Sequence, residues 1–157
     1  MSNVGFIGVG YMGYGIAKNI LHKGNKLFVI ANKNRKPIEK IVSEGATEVK
    51  TFEEFKEKQL NVLVKCVTNT PIAKEIATKL SNILDEKTLI IDITTHNKSG
   101  SIETEKIYQS KNINYKSYAW WLLRECNTRS HSELGSQAFQ RQWYFVLRHG
   151  RVGLCQA

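Results

Sequence analysis

The feature that most restricts what this chain can fold into is a glycine-spaced turn set between two kinds of hydrophobic pattern. Val4–Val9 is a short apolar run, and Gly13–His22 has helical spacing with Ile16, Ile20 and Leu21 on one side. Between them the sequence reads GVGYMG, which places Gly8, Gly10 and Gly13 in a G-x-G-x-x-G arrangement. The first glycine permits the tight turn out of the strand, the second lets a pyrophosphate approach the main chain, and the third lets the helix pack close to the sheet. The helix that follows aims its free N–H groups and positive dipole end at the phosphates. The pattern predicts a strand–turn–helix unit that seats a dinucleotide, with Gly8, Gly10, Tyr11, Met12 and Gly13 as its contacts. A mononucleotide phosphate loop is excluded, because no Gly-Lys-Ser/Thr follows.

The next hundred residues repeat this alternation. Strands are expected at Lys26–Ala31, Thr47–Lys50, Asn61–Val67, Thr88–Ile93 and Asn114–Ala119. Helices are expected at Pro37–Ser43, Phe52–Lys58, Pro71–Leu84 and Ser101–Lys111, with Gly24 and Gly45 as stops for the first two helices of the chain. On Pro71–Leu84, Ile72, Ile76, Leu80 and Ile83 fall on one face. Such spacing implies parallel βαβ units with right-handed crossovers and strands apolar on both faces. The expected fold class is α/β, a doubly wound parallel sheet of the Rossmann type, binding its ligand at the carboxyl ends of the strands.

The end of the second strand bears on the cofactor. A carboxylate there would accept hydrogen bonds from the ribose 2′-hydroxyl of NAD. This chain has Asn32, Lys33, Arg35 and Lys36 instead, cations suited to a 2′-phosphate. NADP(H) is therefore expected ahead of NAD(H). The alternative is a solvated, basic helix entrance.

The stretch GFIGVGYMGYGIAKNILHKGNKLFVIANK resembles the opening of the β-hydroxyacid dehydrogenases. These include 3-hydroxyisobutyrate dehydrogenase and the tartronate semialdehyde and glyoxylate reductases, with 6-phosphogluconate dehydrogenase as a cousin. Gly8, Gly10, Met12, Gly13, Ala17 and Asn19 match that opening, and Asn32-Lys33 stands at its Asn-Arg. IIDITTHNKSGS resembles the family's Asp, Ser-Thr, Pro segment through Asp92, Thr94 and Thr95, although Lys98 replaces the proline. The resemblance implies that Thr95 contacts cofactor or substrate. Helix capping by Thr or Asn is a compatible reading. It also implies backbone contact from Val67 and Thr68, where the family has Leu-Pro. By this likeness the full-length activity is hydride transfer between NADP(H) and a small hydroxy acid or semialdehyde.

The likeness runs from Met1 to about Ala119. Up to Tyr118 the chain uses seventeen lysines and one arginine; beyond it there are five arginines and no lysine. All three tryptophans, Trp120, Trp121 and Trp143, lie in this last part. The expected organisation is a dinucleotide-binding domain over 1–119 and an unmatched tail over 120–157, poorly ordered or foreign to the family. The family's substrate glycines, helical second domain and catalytic lysine have no counterpart, so no catalytic residue is assigned and little turnover is expected. His96 reads as an exposed loop histidine and Cys66 as a buried strand residue. A frameshift, a splice variant or a fusion would each produce such an end. The alternative function is a non-enzymatic dinucleotide-binding or partner-binding module that uses the aromatic, arginine-rich tail. An apolar tail left uncovered implies self-association.

The formal charge of +9 does not by itself select a nucleic-acid partner, because the lysines interleave with glutamates as on solvated helix faces. No metal site is expected from three unpaired cysteines. With no signal-like start and no long apolar run, no membrane partner and a cytoplasmic location are expected.

Overall fold

The computed structural model describes residues 1–32 and 34–117. Eleven elements alternate along them: β1 (Asn3–Ile7), α1 (Tyr11–His22), β2 (Lys26–Ile30), α2 (Lys36–Ser43), β3 (Thr47–Val49), α3 (Glu54–Glu57), β4 (Val62–Lys65), α4 (Thr70–Leu80), β5 (Leu89–Asp92), α5 (Lys98–Gln109) and β6 (Asn114–Ser117). The strands form one parallel sheet in the order β3-β2-β1-β4-β5-β6. The chain winds outward from β1 to β3, crosses back over β1, and winds outward again from β4 to β6. The order reverses between β1 and β4, which is where a doubly wound sheet opens a crevice.

Layering follows from the sequence pattern. Val4, Gly5, Phe6 and Ile7 are consecutive and all buried, so both faces of β1 are covered. Leu63 and Ile90 sit at full burial on β4 and β5, with Phe55 of α3 and Tyr108 of α5 packed into the same cluster, while Phe6 of β1 is fully buried on the face that meets α1. Helix α1 turns Gly13, Ala17 and Ile20 inward. Gly24 and Gly45, just past the ends of α1 and α2, have φ of +78° and +113°, the left-handed region that lets a helix stop sharply.

Three sequence expectations change. Helix α4 buries Ala73, Ala77 and Leu80 rather than a row of isoleucines, and it ends before Ile83. Small side chains allow the closest approach to the sheet, while Ile76 packs from the flank. Helix α5 begins three residues earlier than its apolar spacing suggested, because Asn97 caps it: Oδ1 accepts the Gly100 N–H at 2.8 Å. The strands are also not apolar throughout. Lys65, the last residue of β4, is completely buried, and so is Asp92, the last of β5.

Candidate functional site

Register sets the position of the site. Val49, Ile30, Ile7, Lys65, Asp92 and Ser117 are paired in one line across the sheet and close its six strands. The residues just past that line form the carboxyl rim. Gly8–Gly10 leave β1 there, Ala31 and Asn32 leave β2, Cys66–Thr68 leave β4, and Ile93–Thr95 leave β5. Pairing therefore brings the glycine turn, Asn32, Val67, Thr68 and Thr95 to one end of the sheet. Lys33 lies outside the described residues, as does the tail beyond Ser117, including the three tryptophans and the proposed 119/120 boundary.

The glycine turn is held by close main-chain contact. Gly8 has φ +95°, and a Cβ there would lie 1.9 Å from the carbonyl oxygen of Cys66, one residue past β4. A Cβ on Gly13 would lie 2.1 Å from the Gly8 carbonyl oxygen. Any side chain at either position would push the turn away from β4 or lift α1 from the sheet. Gly10 is different. It is the N-cap of α1, it offers no side-chain cap, and a Cβ there would meet nothing within 4 Å. The first turn of α1 also carries no acidic residue, and Tyr11 and Met12 are exposed. Orphan N–H groups at a helix start, with open space before them and no side chain to satisfy them, fit a phosphate group.

At the β2 end, Asn32 and Arg35 are exposed. The Arg35 guanidinium is not free: Nη2 donates to Glu48 Oε2 on β3 at 3.1 Å, and Nε lies 3.6 Å from Glu39 Oε1. These pairs hold the arginine over the β2–β3 edge of the rim.

The β4–β5 end holds a cluster that sequence reading missed. Asp92 Oδ2 accepts from Lys65 Nζ at 2.8 Å, His96 Nε2 at 2.9 Å and the Tyr115 hydroxyl at 2.9 Å. Its Oδ1 accepts the Thr94 N–H at 3.0 Å. Lys65 Nζ also donates to the Ala73 carbonyl of α4 at 3.1 Å and sits 5.7 Å from the centroid of the Tyr108 ring. Burial alone would raise the Asp92 pKa, but the His96 hydrogen bond and the Lys65 charge outweigh it and hold the group at about 2. Burial pulls the Lys65 ammonium below its usual value, with the Asp92 charge resisting. His96 is thus corrected from an exposed loop residue to a buried one, drawn in because its Nε2–H has a carboxylate to meet. Its Nδ1 has no hydrogen-bond partner among the described residues.

Thr95 is exposed on the β5–α5 turn, between two buried neighbours. It does not cap α5, which Asn97 does. Cys66 is half-buried one residue past β4, and burial, aided by the Asp92 charge, pushes its thiol up, away from the reactive thiolate. His22, the last residue of α1, is exposed, 3.9 Å from Glu44. Among the described residues no group of His, Cys, Asp and Glu could hold a metal ion, and no helix is long and apolar enough to cross a membrane.

Comparison with known proteins agrees with this architecture. The family model described as the NAD-binding domain of 6-phosphogluconate dehydrogenase matches residues 3–116. Among solved structures, a Mycobacterium tuberculosis 3-hydroxyisobutyrate dehydrogenase with L-serine superposes with a TM-score of 0.67 at 16% identity, over 74% of this chain and 40% of that one. An imine reductase from Myxococcus stipitatus in complex with NADP+ gives 0.66 at 20% identity, over 73% and 39%. A variant of the latter in complex with NAD+ gives 0.67 at 18%, over 74% and 40%. The matched part of this chain spans about two fifths of the length of these structures.

Proposed function

The chain belongs to the family of the NAD-binding domain of 6-phosphogluconate dehydrogenase, and from that premise we propose that residues 1–119 bind NADP(H) in preference to NAD(H) across the carboxyl rim. The observation that carries this reading is the uncapped N-terminus of α1 at the switch point, with open space before Gly10. The pyrophosphate sits against the Gly8–Gly13 turn, with Tyr11 and Met12 flanking it. The adenosine half lies over β1 and β2 beside Asn32 and Arg35. The nicotinamide half lies over β4 and β5 beside Val67, Thr68 and Thr95, with Thr95 also reaching substrate. When bound, the cofactor supplies the hydride.

Support for the phosphorylated cofactor is chemical. The segment after β2 offers no carboxylate to a ribose 2′-hydroxyl. Arg35 can exchange its long, exposed Glu39 contact for a 2′-phosphate while Glu48 keeps the guanidinium in place. Structural neighbours with NADP+ and with NAD+ are both consistent with the cleft. In its complete form such a domain serves an oxidoreductase acting on a small hydroxy acid or semialdehyde.

Parallel titrations with NADPH and NADH test the preference. The expected result is NADPH binding tighter by about tenfold, shrinking in Arg35→Ala, as loss of a charge-assisted phosphate contact implies. Equal or tighter NADH binding in the unaltered protein contradicts it.

A further inference from the structure

The buried carboxylate of Asp92 holds both residues that flank Thr95. Thr94 gives it a main-chain N–H at 3.0 Å and His96 gives it Nε2–H at 2.9 Å. Both neighbours are buried, and Thr95 alone of the three is exposed. With its two neighbours pulled inward by one carboxylate, residue 95 has its side chain directed out of the rim. The same hub reaches the next turn. Thr94 Oγ1 accepts the Val67 N–H at 3.2 Å, so the β4–α4 and β5–α5 turns are linked through one hydroxyl. Lys65 extends the cluster to α4 through the Ala73 carbonyl, and Tyr115 extends it to β6.

The cost of such a cluster says something about its use. Taking a lysine and an aspartate out of water is expensive, and apolar residues of similar volume often stabilise a core equally well. A polar cluster does what an apolar one cannot: it fixes direction, because each hydrogen bond constrains the angle of its partner. Here the bonds from the Thr94 N–H and from His96 end at the β5–α5 turn that bears Thr95, and the Thr94 hydroxyl carries the constraint on to Val67 in the β4–α4 turn.

We propose that Asp92, acting through Thr94 and His96, is a positioning residue that presents the β4–α4 and β5–α5 turns to the nicotinamide half of the dinucleotide. The proposal rests on the dinucleotide reading above. The hub touches neither cofactor nor substrate. It sets the orientation of the groups that do, and it has no connection to the adenosine half, which the glycine turn and the β2 end hold.

The test therefore uses two ligands on the full chain: NADPH, which occupies both halves, and 2′,5′-ADP, which occupies the adenosine half alone. Thr94→Val removes the hydroxyl at nearly constant volume, and Thr94→Ser restores it. His96→Ala removes the donor to Asp92, and His96→Gln supplies another. Circular dichroism establishes that each variant is folded. Thr94→Val and His96→Ala are expected to weaken NADPH about tenfold while 2′,5′-ADP stays within twofold, and Thr94→Ser and His96→Gln to recover most of the loss. Unchanged NADPH affinity in folded Thr94→Val overturns the proposal. So does equal weakening of both ligands, which marks a merely structural role. If the unaltered chain binds 2′,5′-ADP but gains nothing from the nicotinamide half, the positioning role falls and the adenosine site stands. If it binds neither ligand, the dinucleotide reading itself falls.

Discussion

Where β1 runs into α1 the rim is main chain and open space, whereas on the β4–β5–β6 side the rim rests on a sealed, charged cluster. The first side relies on what is absent: no Cβ at Gly8, Gly10 or Gly13, and no side-chain cap on α1. The second relies on what is present: Lys65, Asp92, His96 and Tyr115, all buried and converging on one carboxylate. A phosphate needs only bare N–H groups and room, so glycine suffices there. A flat ring held for chemistry needs turns of fixed orientation, and those are made by hydrogen bonds anchored in the interior. The contrast predicts that substitutions on the charged side register first as lost stability, while those on the glycine side register as lost ligand binding.

The largest effect is expected at Asp92. Asp92→Asn leaves the Lys65 ammonium buried without its counter-charge, which should cost about 3–5 kcal/mol in chemical denaturation. A Lys65→Met/Asp92→Asn pair, with no stranded charge, should recover much of that. If the single variant is as stable as the original, the cluster is not the ion pair described.

Gly8→Ala probes the other side. The left-handed φ alone disfavours a side chain by about 1–2 kcal/mol, and the Cys66 carbonyl stands where the Cβ would go. Stability should fall by about 2–3 kcal/mol, and NADPH binding should fall beyond what the lost folded fraction explains. A variant that loses stability alone would erase the contrast between the two sides.

Acid sharpens the comparison further. The Asp92 pKa is lowered in the folded state, to about 2, so its contribution is in full force above the unfolded value of about 4 and disappears as pH falls toward 2. Roughly 2 kcal/mol should be lost over that interval. Denaturation curves from pH 5 to pH 2 should show the loss in the original chain and not in the Lys65→Met/Asp92→Asn pair. Parallel curves for the two would refute it.

These two sides also differ in how they read from sequence. The glycine turn is local: three positions within six residues, flanked by a strand and a helix that announce themselves by apolar spacing. Alternation gave the sheet its class, because each βαβ unit is short and its strands are nearly all apolar. The charged cluster is nonlocal. Lys65 and Asp92 stand 27 positions apart in sequence, and only the register of β4 on β5 pairs them. In the sequence, Lys65 is one lysine among seventeen before the tail, and His96 follows two threonines in what reads as a loop. The one available signal was a lysine inside the apolar run NVLVKCV, which needs a buried counter-charge if that run is a central strand. Apolar spacing put the start of α5 at Ser101, whereas the capping reading by Thr or Asn points to the earlier start that Asn97 sets.

The smallest effect belongs to the surface. Glu48→Gln breaks one exposed pair with Arg35, and stability should change by less than about 0.5–1 kcal/mol. Its use is in the ligand balance: a loosened arginine should lower the preference for NADPH over NADH without altering the fold. An unchanged ratio would remove Arg35 from the adenosine side of the comparison.

The most direct test of the central claim, that one dinucleotide spans both sides of the rim, is a residue-resolved NMR titration of the ¹⁵N-labelled chain with NADPH. The account predicts saturable amide shifts at Gly10–Gly13 and, in the same titration with the same midpoint, at Val67–Thr68 and Thr94–Thr95. Shifts confined to scattered surface lysines, or none at millimolar cofactor, would contradict it.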